Sequence, residues 1–241
     1  MRIDEYIKAE GLAASRSRAK MLIDEGAVTV NGIPVTKASY EVREGDAVRV
    51  LDLPYVSRGG LKLEAALSAF SLSVRDAVAL DVGASSGGFT DCLLQNGASL
   101  VYAVDSGKGQ LVPSLLSDPR VVSMEGYNAR YMKPEDFPRT PNFAVMDVSF
   151  ISQTLILPSL VAALPQGATL ITLIKPQFEV GRAHVGRGGI VRDEKAREAA
   201  VARVLDAARI LGLESRGVIT SPIRGGDGNI EFLAYFIKKG E

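Results

Sequence analysis

The chain has 241 residues, 46% of them hydrophobic and 23% charged, close to the average for folded water-soluble proteins and far from the disordered class. Its 28 basic side chains balance its 28 acidic ones, so any RNA-binding surface must come from local segregation of charge. One cysteine, Cys92, excludes an internal disulfide, and one histidine, His184, leaves no Cys/His cluster for zinc, so no metal is expected and a reducing cytoplasm fits.

The length suits a small module followed by a standard α/β domain. The opening MRIDEYIKAEG carries charges where a secretory signal needs an apolar core. No apolar run reaches the roughly 20 residues of a membrane helix. Residues 1–53 read as one block. Arg2 to Glu10 is the first helix candidate, closed by Gly11 as a left-handed cap. Ser15 is the expected N-cap of a second helix running to Glu25 with Ala19, Leu22 and Ile23 inward, ended by Gly26. Ala27–Val30 and Ile33–Val35 flank Asn31-Gly32, the strongest short signal for a type I′ hairpin, and Val48–Leu51 supplies another strand. Residues 54–60, beginning at Pro54, read as a linker.

The second domain, residues 61–241, starts with a helix near Leu61. From Val78 onward apolar strands (AVALDVG, LVYAVDSG, FAVMDVSF, TLITLIKP) alternate with helical stretches, which argues for an α/β fold with a parallel sheet covered on both faces. Ser215–Ile223 and Ile230–Lys238, joined by the turn signal RGGDGN, should finish the sheet as an antiparallel pair.

The strongest motif is Asp81-Val-Gly83-Ala-Ser85-Ser86-Gly87-Gly88-Phe89-Thr90, placed where a buried strand turns into a helix. Glycines there let backbone approach a ligand, and a helix amino terminus offers N–H groups. The dinucleotide fingerprint fails, because three residues separate Gly83 from Gly87 and serine replaces the middle glycine. Asp105 closes the second strand, 24 residues after Asp81, near the distance at which such folds put an acid on ribose hydroxyls. The plainer alternative is a tight turn and a capped strand end.

These residues resemble motif I of the Rossmann-like methyltransferases. The resemblance is closest to the FtsJ-like group and its TlyA subfamily. YVSRGGLKLE, LDVGASSGGFTD, VMDVSFIS and LIKPQFEVG stand in that subfamily's order, so the likeness covers nearly the whole chain. It implies S-adenosylmethionine over Gly83, Ser85 and Gly87, with Asp105 on its ribose and Asn128 near the adenine. Asp81, Ser86, Gly88, Phe89 and Asp147 complete the implied cofactor set. It also implies transfer of the methyl group to a ribose 2′-hydroxyl of ribosomal RNA.

A ribose hydroxyl is a poor nucleophile until its proton is removed or polarised, so a basic group must reach it. Lys175 follows TLITLI and Asp147 ends VMD, which puts opposite charges on neighbouring strand ends. The FtsJ-like resemblance implies a Lys-Asp-Lys-Glu tetrad at Lys62, Asp147, Lys175 and Glu231. In it Lys175 would deprotonate or orient the hydroxyl, Lys62 would lower its pKa by like-charge repulsion, and Asp147 and Glu231 would hold the amines. Singly, each has a plainer role: a solvated charge for Lys62, polar strand ends for Asp147 and Lys175, an edge-strand gatekeeper for Glu231.

The first block resembles the RNA-binding module of a small-subunit ribosomal protein over about fifty residues, on RIDEYI and SRSRAKMLIDEGAVTVNG. Arg2, Arg16, Arg18, Lys20, Asn31, Lys37 and Arg58 are its candidate RNA contacts, although a solvated helix face is the plainer alternative. After Lys175, the loop PQFEVGRAHVGRGGIVRD, with Arg182, Arg187 and Arg192, is expected to be flexible and to order over RNA. Phe178 is a candidate for base stacking or for the core, and His184 is expected simply to sit in the loop. The expected partners are ribosomal RNA or ribosomal subunits, and oligomeric state is open. Two other readings stand beside the enzyme: a non-catalytic RNA-binding factor, and a haemolysin, a label that TlyA-like proteins carry.

Overall fold

The computed structural model describes residues 1–24, 26–51, 53–225 and 228–240, without the side chains of Asp24 and Arg182. The expected helix end at Glu25, the turn residues Gly226 and Asp227, and the Arg182 side chain lie outside the described residues. The chain divides into two compact units, Met1–Arg58 and Gly59–Glu241.

In the first unit, α1 (Ile3–Ala9) buries Ile3 and Ile7, and Gly11 leaves it at φ +70°. α2 (Arg16–Asp24) starts at Ser15, whose Oγ accepts the Arg18 N–H at 3.1 Å. It buries Ala19, Leu22 and Ile23 against Ile3 and Ile7. β1 (Val28–Val30) and β2 (Ile33–Pro34) meet through Asn31 and Gly32 at φ 53° and 79°, as a type I′ turn requires. β3 (Val48–Val50) pairs with the other edge of β1, antiparallel.

The second unit runs α3 (Gly59–Ala69), β4 (Val78–Val82), α4 (Gly88–Gln95), β5 (Leu100–Asp105), α5 (Pro113–Leu116), β6 (Val121–Glu125) and β7 (Phe143–Met146). It continues with α6 (Leu157–Ala163), β8 (Thr169–Ile174), α7 (Pro176–Glu179), α8 (Glu194–Ile210), β9 (Leu213–Thr220) and β10 (Phe232–Lys238). The sheet order is β6-β5-β4-β7-β8-β10-β9, parallel from β6 to β8. The antiparallel pair expected at the end is present, but β10 inserts between β8 and β9 and is not an edge. Its apolar run FLAYFIK suits that place, since Leu233, Ala234 and Phe236 are completely buried.

Successive strands build outward in opposite directions from the β4–β7 junction. In an open parallel sheet that reversal leaves a crevice at the strands' carboxyl ends. The longest helix among the described residues, α8, lies in a stretch for which the sequence analysis names no element. It is capped by Asp193, which accepts the Lys195 N–H at 3.2 Å, and buries Ala196, Ala200, Val204 and Ala208. Three of those four are alanines, so the buried stripe stands out little from its surroundings. Among the described residues no helix is long and apolar enough to cross a membrane.

Candidate active site

The crevice holds a cavity of about 520 Å³ walled by the carboxyl ends of β4, β5 and β7 and the loops that follow them. At its floor Gly83 (φ +88°) follows β4. A Cβ there would lie 2.3 Å from the Asp147 carbonyl oxygen, so only glycine lets the β4 and β7 ends approach this closely. Ser85, itself at φ +48°, donates its backbone N–H to Asp105 Oδ2 at 2.8 Å, and Gly107 donates to Oδ1 at 2.7 Å. Both oxygens of Asp105 are thus anchored by backbone, and each keeps lone-pair capacity on a residue that lines the cavity.

Gly83, Ser85, Asp105, Asn128 and Asp147 all lie in the wall, while the other expected cofactor contacts stand behind it. Gly87 (φ +99°) is needed for packing, because its Cβ would lie 2.2 Å from Leu115 Cδ1. Gly88 opens α4, and Ser86 and Phe89 are 6% and 3% exposed. Asp81 is fully buried and accepts the Thr90 hydroxyl at 2.6 Å, while its Oδ1 has no hydrogen-bond partner among the described residues. Burial first, opposed by the Thr90 bond and reinforced by repulsion from Asp147 and Asp105, pushes its carboxyl up to about 7.

Several wall residues escaped the sequence reading: Ser106, Gln110, Tyr127, Ser149, Phe150 and Ile156. Gln110 is placed by Glu125, which accepts the N–H groups of Gly109, Gln110 and Leu111 at 2.9, 2.7 and 3.0 Å and is held below the usual carboxylate range by them. Tyr127 bonds Asp136, and burial with that neighbour pushes its phenol up to about 12. Phe150 is 92% exposed at φ +65°, an uncommon pose for an aromatic residue, with Phe178 5.3 Å away centroid to centroid.

The expected tetrad forms two ion pairs. Lys175 Nζ stands 2.6 Å from Asp147 Oδ1 and donates to Ser149 Oγ at 2.7 Å. Lys62 Nζ stands 2.6 Å from Glu231 Oε2, with side chains 11% and 2% exposed. This burial replaces the solvated and gatekeeper roles left open for Lys62 and Glu231. The β10–β8 register pairs Phe232 with Ile174, so the next step sets Glu231 opposite Lys175 and brings both pairs to one rim. Removing one member of such a pair leaves a buried charge uncompensated, typically costing about 3–5 kcal/mol.

The residues expected to touch RNA divide differently. Arg2 and Arg16 both bond Asp4, at 3.0 and 3.1 Å, and Arg16 also reaches Glu5 at 3.2 Å. Arg18 donates to the Val56 carbonyl at 3.1 Å, and Asn31 bonds Asp46 and the Ala47 N–H. These four hold the first unit together. The Arg58 guanidinium lies 3.0 Å from where a Gly26 Cβ would be, a half-buried packing position. Lys20, Lys37, Arg187 and Arg192 are exposed.

The loop after α7 carries local structure of its own. It contains the short 3-10 turns Arg182–His184, where His184 is exposed, and Arg187–Gly189. Asn229, 1% exposed, accepts the Val191 N–H and donates to the Gly189 carbonyl, both at 2.9 Å.

Residues 55–238 match the family model of FtsJ-like methyltransferases, and residues 1–48 match the S4 domain. The chain is 46% identical over 243 residues to hemolysin A of Brachyspira hyodysenteriae, covering 98% of this chain and 100% of that one. It is 43% identical over 237 residues to the 16S/23S rRNA (cytidine-2′-O)-methyltransferase TlyA of Mycobacterium tuberculosis, covering 97% and 88%. A solved protein of Streptococcus thermophilus bearing a hemolysin name superposes with a TM-score of 0.80 at 47% identity, covering 100% of this chain and 89% of that one.

Proposed function

Because this chain belongs to the FtsJ-like methyltransferase family, we propose that it transfers the methyl group of S-adenosylmethionine to a ribose 2′-hydroxyl of ribosomal RNA, in the cytoplasm. The observation that carries this reading is the Lys175 amine, held by Asp147 and Ser149, two residues that line the crevice.

The wall fits the cofactor. Asp105 offers carboxylate oxygens to a ribose diol, and Gln110 and Asn128 offer amides beside the apolar Val104 and Ile156 for a purine. When bound, the cofactor supplies an electrophilic methyl group on a sulfonium.

The protein's own work is alignment and proton handling. The 2′-hydroxyl gives its proton to Lys175 Nζ or is oriented by it, while Asp147 keeps the amine in place. Glu231 holds Lys62 at the same rim. The exposed Phe150 ring at the cavity mouth offers a face to a nucleobase, a role the sequence reading had weighed for Phe178. The M. tuberculosis relative's name specifies cytidine, which is the nucleoside we propose here. The match of residues 1–48 to the S4 domain supports RNA as the partner of the first unit.

The two ion pairs argue against a non-catalytic binding factor, whose fold would not require them. The test is transfer of tritiated methyl to ribosomal RNA or assembled subunits. We expect Lys175→Ala to abolish transfer while S-adenosylmethionine binding, followed by calorimetry, survives. Absence of label on every ribosomal RNA offered to the wild-type protein would defeat the proposal.

A further inference from the structure

Lysine carries a flexible four-carbon stem, so each tether on its amine narrows the positions that the amine can take. The chain leaving β7 supplies two. Asp147 and Ser149 lie on the segment that follows β7, outside any regular element, and both reach the Lys175 amine, at 2.6 and 2.7 Å. Both also line the cavity.

The chain then turns at Phe150 (φ +65°), whose ring is 92% exposed, and Ser149 just before it is also exposed while keeping its bond to Lys175. Beyond the turn a buried polar cluster clamps the segment. Glu179, 3% exposed, accepts the Ser152 hydroxyl at 2.6 Å and the Gln153 N–H at 2.8 Å. Gln153, 1% exposed, donates to the Leu173 carbonyl at 2.5 Å and accepts the Thr172 hydroxyl at 2.6 Å. A backbone pose of this kind persists only where its surroundings over-determine it, as this cluster does.

From this arrangement we propose that Ser149 is a positioning residue for the methyl-transfer reaction: its hydroxyl fixes Lys175 Nζ at the distance from the cavity that the ribose hydroxyl requires. The inference rests on the activity proposed above. Ser149 exchanges no proton with substrate and acts through Lys175. A hydroxyl both donates and accepts, so it holds the amine before and after proton uptake, whereas the Asp147 carboxylate serves only the charged form well.

The test uses the full-length protein, Ser149→Ala, and Ser149→Thr, which keeps the hydroxyl. Methyl transfer from S-adenosylmethionine to unmethylated ribosomal subunits gives kcat and KM. Competitive acetylation read by mass spectrometry gives the reactivity of Lys175 against other lysines. We expect Ser149→Ala to lower kcat about tenfold, the scale of a sub-ångström misplacement, with KM for the cofactor within about twofold, and to change Lys175 acetylation. Ser149→Thr should recover most of the rate and the wild-type acetylation. Wild-type kcat and acetylation in Ser149→Ala would overturn the inference, as would an equal loss in Ser149→Thr. If the wild-type protein transfers no methyl to any subunit, the proposed activity falls, and unchanged acetylation in Ser149→Ala would separately remove the tether.

Discussion

At the scale of single residues, Asp81 differs from the other acids of the second unit. It is sealed beneath the glycine turn with one oxygen bonded to Thr90 and the other without a hydrogen-bond partner among the described residues. Its folded-state pKa of about 7 lies above the ordinary 3.8, so between those values the folded chain binds a proton that the unfolded chain has lost. The associated stability is present below the unfolded pKa and is lost as pH rises through the folded one. Asp81→Asn keeps an acceptor for Thr90 and removes the titration. The wild-type stability should therefore fall between about pH 4 and about pH 7 by more than that of Asp81→Asn, a difference on the order of a few kcal/mol seen as a larger drop in melting temperature. Parallel slopes for the two proteins in thermal melts across that range would show that Asp81 does not titrate there.

At the scale of elements, what decides the site is how loops are tied to strand ends. Asn229 joins the segment Gly189–Val191 to the approach of β10, two residues before Glu231. Replacing it with alanine strips a partner from the buried Val191 N–H, at about 1–3 kcal/mol, and from the part-buried Gly189 carbonyl. Asn229→Ala should open the 186–192 loop to limited proteolysis while leaving the sheet's circular dichroism unchanged, and unaltered cleavage would exclude the staple. The sequence could not reveal it, since one asparagine in a turn-rich stretch reads as turn chemistry.

Other elements were legible for equally physical reasons. Asn31-Gly32 demands positive φ at both positions, and strands buried on both faces read as unbroken apolar runs. At the site, Asp105, Asp147 and Lys175 were visible because the strand pattern itself puts them at the rim, whereas Lys62 on α3 and Glu231 just before β10 were marked only by the family resemblance. Gln110, Tyr127 and Ser149 were not visible, since they reach the cavity through loops whose course is set by contacts distant in sequence. Gly87 stands at φ +99° beside Leu115, and a glycine required by its backbone conformation looks the same in sequence as one required by a ligand.

At the scale of the molecule, the near-equality of charges conceals where cations remain available. Residues 1–58 include Arg2 and Arg16, yet both are engaged with Asp4, whose carboxyl is held below its usual range first by the Arg2 hydrogen bond. Lys20 and Lys37 are exposed on the same unit. If that unit grips RNA phosphates, affinity for ribosomal subunits should depend on these two lysines and on salt, because each neutralised phosphate releases counterions. Carried on one chain, the grip also raises the local concentration of substrate around the methyltransferase unit. Lys20→Glu combined with Lys37→Glu should weaken subunit binding about tenfold or more at low salt and flatten the log–log salt dependence by roughly two, with the cofactor dissociation constant unchanged. Filter binding over a salt series measures both quantities. An unchanged slope would mean that RNA is held elsewhere on the chain, with the exposed Arg187 and Arg192 of the second unit the next residues to reverse.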